Sequence, residues 1–186
     1  DLSGTDFYWN MVQMYGLSPR VTLEGFSRGG LFAYNWAADH PDKVACIYVD
    51  APVCDVFSWP GRSSGNAGLW KGMLDEWGLT EVRMNTFPGN PIDRLKPLAD
   101  ARIPVICVCG DSDRVVPFSE NSAVVRQRYT AMGAPFELIL KPGVDHHPHS
   151  LENPTPVVDF IVRHQAGYEA GQCYTLRGNY QNSYRK

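Results

Sequence analysis

Residues 22–37 read TLEGFSRGGLFAYNWA, and this stretch decides the fold. A short apolar run leads into the segment GFSRGG at residues 25–30, which has Ser27 at its centre. Apolar residues then recur at the spacing of one helical face: Leu31, Tyr34, Ala37 and Ala38. We therefore predict a strand, a sharp turn at the serine and a helix. Ser27 is then either an incidental turn residue or a nucleophile held on a bend.

The alternation of strand and helix continues along the chain. The sequence predicts further strands at residues 44–53, 104–110 and 136–140, with helices at 119–132 and 156–164. A first helix at residues 5–15 is predicted to be amphipathic, with one apolar face formed by Phe7, Met11, Val12 and Tyr15. Such alternation predicts an α/β fold: a doubly wound, mostly parallel sheet with helices on both faces.

The length of 186 residues fits one domain with a substantial core, which we place at residues 1–166. Residues 54–100 are rich in Gly, Pro and scattered aromatics, with short helices predicted at 69–77 and 92–101, and are predicted to be an insertion. Residues 167–186 lack a core pattern and are predicted to form an extended tail or linker.

Composition excludes several function classes. The formal net charge is −3 without a basic block, so neither nucleic acid nor an acidic membrane surface is an expected partner. No apolar run is long enough to span a bilayer. The five cysteines show no zinc-site spacing, and Cys107 and Cys109 are predicted to be core thiols on one face of a strand.

The turn at Ser27 has the context of a nucleophile elbow, in which a serine sits on a tight strand-to-helix turn. The strained backbone requires small neighbours, a role we assign to Gly25 and Gly29. The helix that follows directs its first amides at the serine, and the Arg28 N–H is the predicted donor to a developing oxyanion.

A catalytic acid is expected after a later strand. Asp113 lies in GDSDRVVP, just beyond the strand that ends at Gly110, where parallel sheets place their ligands. We predict Asp113 as the acid and Asp111 as a turn residue. Asp50, at the end of the preceding strand, is the alternative acid, because reach and not sequence position defines this role.

The base is expected among the histidines of PGVDHHPH, residues 142–149. Pro142 and Gly143 turn the chain, so the first histidine, His146, is best placed to face the strand ends. His147 and then His149 are the alternatives. The spacing suits no helical pair of metal ligands, so no metal is predicted.

The motifs GFSRGG, GDSDRVVP and PGVDHHPH together resemble those of the α/β-hydrolase superfamily, over residues 16–165. The resemblance implies that Ser27 attacks an acyl carbonyl, His146 relays the proton and Asp113 orients the imidazole, without a cofactor. It also implies that the insertion is a cap, with Trp59 and Phe26 as candidate pocket residues.

Members of that superfamily usually have several strands before the nucleophile strand, and one loop there donates the second oxyanion amide. This chain reaches the nucleophile strand after one helix, so we expect an N-terminally truncated core, completed by a preceding segment or by another chain. The segment YTLRGNYQNSYRK resembles the lead-in to a GDSL-type esterase domain in some multidomain bacterial proteins.

The resulting hypothesis is a serine hydrolase of the carboxylesterase type, which forms an acyl-enzyme on Ser27. Its expected substrate is a small-molecule or carbohydrate-linked ester. Two alternatives remain: a peptidase or amidase with the same triad, and a catalytically silent module used for binding.

Overall fold

The structure is a computed structural model that describes residues 2–61, 65–84 and 87–165. Four strands alternate with helices: α1 (Leu2–Tyr15), β1 (Val21–Phe26), α2 (Arg28–Asp39), β2 (Val44–Asp50), α3 (Ala67–Trp77), α4 (Glu81–Met84), α5 (Lys96–Asp100), β3 (Val105–Gly110), α6 (Ser122–Ala131), β4 (Phe136–Lys141) and α7 (Thr155–His164). Short helical turns lie at Pro41–Lys43, Phe57–Gly61 and Pro91–Asp93.

The four strands form one parallel sheet in the order β1-β2-β3-β4. Phe26 pairs with Asp50, and Asp50 pairs with Val108, so the carboxyl ends of neighbouring strands meet at one edge. Residues that follow the strands are therefore brought together there, which confirms the predicted α/β architecture.

Helices cover both faces of the sheet. On one face, α2, α5 and α6 pack on β2 and β3 through a core that includes Tyr34, Ile47, Leu98, Cys107, Cys109 and Tyr129. On the other face, α7 packs through Val157 and Phe160 on Cys46, Tyr48, Ile106 and Val108. The prediction that Cys107 and Cys109 are core thiols on one face is confirmed.

Strand β2 ends earlier than predicted. Ala51 has a φ of 42°, a left-handed conformation that turns the chain out of the sheet directly after Asp50. The apolar run continues to Val53 because residues 51–54 are buried after the turn, not because they extend the strand. A continuous apolar run is the same in sequence whether the residues form a buried strand or a buried turn that follows the strand.

The apolar face predicted for α1 is wrong in part. Phe7 and Tyr15 are exposed, whereas Tyr8 is buried. The Tyr8 hydroxyl donates to the Pro19 carbonyl at 2.8 Å, and its ring packs against Trp36. Two apolar stripes fit the helical period in this segment, and contact with α2 selects the one that contains Tyr8.

The insertion packs on the main core. Its buried residues Val56, Leu74, Met84 and Phe87 form a cluster with Leu31 of α2, with Val53 and with Val116. The segment thus shares apolar surface with the sheet domain, consistent with an insertion, whose boundaries remain a prediction.

The tail predicted at residues 167–186 lies outside the described residues. None of the described helices has the length and apolar character that crossing a membrane requires.

Candidate active site

Ser27 occupies a sharp turn between β1 and α2. Its φ of 50° and ψ of −117° are rare for a residue with a Cβ atom and cost about 1–3 kcal/mol. Backbone hydrogen bonds hold this conformation: the Ser27 N–H donates to the Asp50 carbonyl at 2.9 Å, and the Ser27 carbonyl accepts from Gly30 and Val53. The chain is thereby fixed with the serine partly exposed at the carboxyl edge of the sheet.

The glycines of the turn differ in why they are needed. A Cβ atom on Gly25 would lie 2.5 Å from the Gly29 carbonyl oxygen, and one on Gly30 would overlap Pro52. A Cβ atom on Gly29 would meet nothing within 4 Å. The prediction that Gly29 must be small is therefore wrong: the steric requirement falls on Gly25, which faces the Gly29 backbone, and on Gly30.

Asp113 lies in the loop after β3, and only 6% of its surface is exposed. Its Oδ1 accepts hydrogen bonds from the backbone amides of Val115 and Val116, at 2.9 and 2.8 Å. These two donors are not predicted from the sequence. An aspartate that accepts from backbone amides two and three residues later is, however, a common feature of turns. They leave Oδ2 available to a partner on another loop.

That partner is His146, in the loop after β4. His146 Nδ1 lies 2.7 Å from Asp113 Oδ2, and its Nε2 lies 3.0 Å from Ser27 Oγ. Because the carboxylate accepts the Nδ1–H, Nε2 carries the lone pair and accepts the Ser27 hydroxyl proton. The three side chains predicted from sequence are therefore brought together in the order serine, histidine, aspartate.

Two contacts position the loop that carries His146. A side chain on Gly110 would overlap the Val144 carbonyl, so β3 and the loop approach closely. The carboxylate of Asp145 accepts from the backbone N–H groups of Arg114 and His146 and from the Arg114 guanidinium, which lowers its pKa to about 2. Because Arg114 follows Asp113, this ion pair ties the two loops together. No pattern in the sequence indicates this ion pair.

The alternative acid, Asp50, and one alternative base, His149, form a second histidine–aspartate pair. His149 Nδ1 lies 2.9 Å from Oδ1 of Asp50, which is fully buried. Oδ2 of Asp50 accepts from the Ser150 amide at 2.7 Å and from the Tyr48 hydroxyl at 3.3 Å. Asp50 is thus occupied by His149 instead of by His146. His147 is exposed and packs edge-on against both other histidines.

The two candidate pocket residues lie in different surroundings. Trp59 lines a cleft of about 360 Å³ between α2 and the insertion, and its ring lies 5.9 Å from the Arg28 guanidinium. Arg28, which directly follows Ser27 in the chain, is one of the lining residues, but Ser27 itself is not. Phe26 is not among the residues that line the cleft; it stacks on His149 and contacts Tyr48 edge-on. The prediction of a pocket residue therefore finds support for Trp59 but not for Phe26.

Together, the parallel sheet, the helices on both faces and the serine turn define the α/β-hydrolase fold. The sequence model of the prolyl oligopeptidase family matches residues 8–166. The chain therefore belongs to the prolyl oligopeptidase family within the α/β-hydrolase superfamily. No curated protein matches the chain.

Solved structures with this fold include both peptidases and a lipase. Acylaminoacyl peptidase from Pyrococcus horikoshii matches with a TM-score of 0.63 and 15% identity, over 91% of this chain and 28% of that one. Dipeptidyl peptidase 4 from Porphyromonas gingivalis has a TM-score of 0.62 and 14% identity, over 84% and 21%. Monoacylglycerol lipase from Paleococcus ferrophilus has a TM-score of 0.53 and 14% identity, over 87% and 74%.

The chain thus spans 28% and 21% of the lengths of the two peptidases. At these identities the structural matches show the fold alone. Family membership supports a serine hydrolase, whereas the cleavage of carboxylic esters predicted from the sequence is not confirmed.

Proposed function

We propose that this chain is the catalytic part of a serine hydrolase that cleaves peptide bonds through an acyl-enzyme on Ser27. The observation that carries the proposal is the continuous hydrogen-bond path from Ser27 Oγ through His146 to Asp113, at 3.0 and 2.7 Å. Both distances lie within hydrogen-bond range, and serine, histidine and carboxylate follow one another in the order that acyl transfer requires.

In the proposed reaction, Ser27 Oγ attacks the carbonyl carbon while its proton passes to His146 Nε2. Asp113 stays ionised and stabilises the imidazolium through its Oδ2. Collapse of the tetrahedral intermediate breaks the bond to the leaving group, which takes the proton from Nε2. Water then repeats the sequence on the acyl-enzyme, and the serine is restored.

The oxyanion is assigned to the backbone N–H of Arg28. This residue is the first of α2, so its amide is one of those without an intrahelical acceptor, and the positive end of the helix dipole adds to its effect. Loss of one such donor costs about 10²–10³-fold in kcat in other serine hydrolases.

Family membership is what favours a peptide over an ester as the substrate. The cleft beside Arg28 is mostly apolar, with Leu31, Val56 and Trp59 among its walls and the Glu76 carboxylate at its edge. We assign it to a side chain of the substrate next to the scissile bond. An acyl-enzyme mechanism also accepts esters, because an ester carbonyl has less resonance stabilisation than an amide and an alkoxide leaves more readily than an amide anion.

The test uses the full-length protein, a fluorophosphonate probe and two substrates that share one acyl group, a peptide anilide and a p-nitrophenyl ester. We expect labelling on Ser27 and turnover of both substrates. Ser27→Ala should abolish both results. Ser18→Ala, which alters a serine in the turn before β1, should leave them unchanged.

Each other result selects a different function. Turnover of the ester without turnover of the anilide would replace the peptidase by the carboxylesterase. Absence of labelling on Ser27, in protein that is folded by circular dichroism, would favour the catalytically silent module.

A further inference from the structure

The loop after β4 brings three imidazoles into mutual contact. The ring centroids of His146, His147 and His149 lie 4.5–5.0 Å apart, with interplanar angles of 72–79°. One nitrogen from each ring lies within 4.8 Å of the nitrogens from the other two. The spacing rule for helical ligand pairs gave no sign of this cluster, because the three residues lie on a turning loop.

Two of these imidazoles are oriented by buried carboxylates. His146 donates from Nδ1 to Asp113, and His149 donates from Nδ1 to Asp50. A histidine held in this way keeps its lone pair on Nε2, and metal-binding histidines are commonly held by such a carboxylate. Asp113 serves the proposed reaction, but that reaction assigns no role to the pairing of Asp50 with His149.

We propose that His146, His147 and His149 form an inhibitory site for a transition-metal ion of the Zn²⁺ class. Imidazole nitrogens suit Zn²⁺, Cu²⁺ and Ni²⁺, and poorly suit Mg²⁺ or Ca²⁺. Tetrahedral zinc with Zn–N bonds of ~2.0–2.1 Å needs its nitrogens roughly 3.3 Å apart. Rotation of the exposed His147 ring and small shifts of the other two would close the cluster to that spacing.

Inhibition follows from the nitrogen that the metal occupies. His146 Nε2 is the atom that accepts the Ser27 proton, and a lone pair bound to zinc cannot accept a proton. Metal binding and general-base catalysis therefore exclude each other. The inhibitory part of this inference rests on the proposed function, whereas the binding part does not.

Binding is tested first in full-length Ser27→Ala protein, which removes hydrolysis and also the hydroxyl that competes for Nε2. Zn²⁺ alone is titrated in competition with a chromophoric chelator. We expect one saturable site for each chain. His147→Ala should weaken it at least about tenfold, since even loss of an outer-shell partner costs 10–100-fold.

His147 is the primary variant because it is exposed, so its replacement does not threaten the fold. His164→Gln removes a histidine at the end of α7 and is the matched control, with no expected change in affinity. Equal affinity in the His147→Ala and His164→Gln proteins, or no saturable binding at micromolar zinc, would overturn the proposal.

Inhibition is tested in protein that retains Ser27. Micromolar Zn²⁺ should slow fluorophosphonate labelling and substrate turnover, and EDTA should restore both. His147→Ala should require at least about tenfold more zinc for the same inhibition. Inhibition of both proteins at the same zinc concentration would place the inhibitory site elsewhere. Stoichiometric binding without loss of labelling would refute inhibition, whereas failure of the metal-free protein to hydrolyse any substrate would refute only the proposed function.

Discussion

Alanine at Gly25 should destabilise the protein and alanine at Gly29 should not, although the two glycines are equivalent in the sequence motif. A Cβ atom on Gly25 would lie 2.5, 2.6 and 2.8 Å from backbone atoms of Gly29 and Gly30, which cannot rotate away. Relief requires a shift of the turn, and overpacking of this kind costs about 1–3 kcal/mol. Gly29 is the second residue of α2 and has open space around it, so alanine there should stabilise the helix by at most ~0.5–1 kcal/mol, the value for a helix interior.

The assay is urea unfolding of both variants and the parent protein, followed by circular dichroism. Gly25→Ala should lower the free energy of unfolding, and Gly29→Ala should raise it or leave it unchanged. The shift in Gly25→Ala also displaces Ser27, so kcat/KM should fall about 100-fold, as expected for misplacement of a catalytic group by about 1 Å. Destabilisation of the two variants by the same amount, within about 0.5 kcal/mol, would refute the steric reasoning.

Three further predictions concern the site and the core. Asp113→Asn should lower kcat by about 10⁴-fold with little change in KM, because the amide no longer holds His146 in the tautomer that accepts the serine proton; steady-state kinetics measures this. The pKa of Asp145 is lowered to about 2 by backbone amides and Arg114, so its stabilising effect is present above pH ~4 and is lost as the pH falls towards 2. The difference in unfolding free energy between wild type and Asp145→Asn should therefore shrink over that range. Burial raises the pKa of the Cys54 thiol, so native protein should leave it unmodified by Ellman's reagent until urea unfolds the chain.

Each of these three predictions has a control variant or a result that would contradict it. The control for Asp113→Asn is Asp111→Asn, which alters a neighbouring carboxylate that accepts from the Gly143 amide. Because Asp111 does not contact His146, this variant should keep most of the wild-type activity. A difference for Asp145→Asn that stays constant down to pH 2 would exclude ionisation as its cause. Mapping of labelled thiols by mass spectrometry distinguishes Cys54 from the other cysteines, and rapid native modification of Cys54 would contradict its burial.

The strands, their parallel arrangement and the candidate acid and base loops could be predicted from sequence. Continuous apolar runs alternate with helical periods, and this pattern depends mainly on burial within each element. Because parallel strands carry their ligands at one edge, the sequence predicts Ser27, Asp113 and His146 as the site residues. The order of the three motifs along the chain added information that no single motif contained.

Which aspartate is the acid and which histidine is the base depended on tertiary contacts. The sequence left Asp50 as a second acid and His147 and His149 as alternative bases. The close approach of Gly110 to Val144 and the tie between the two loops turn His146 towards Ser27, and Asp50 instead receives His149. The direction of a loop side chain follows from such packing, which no local periodicity encodes.

By itself, the sequence determined the order of strands and helices, although not the end of β2, because hydrophobic burial imposes a period on each element. Only the tertiary structure decided that Gly25 and not Gly29 must lack a side chain, that Tyr8 is the buried residue of α1, and that three histidines meet. Each of these depends on atoms that are distant in sequence, or on a turn whose direction is set by its packing.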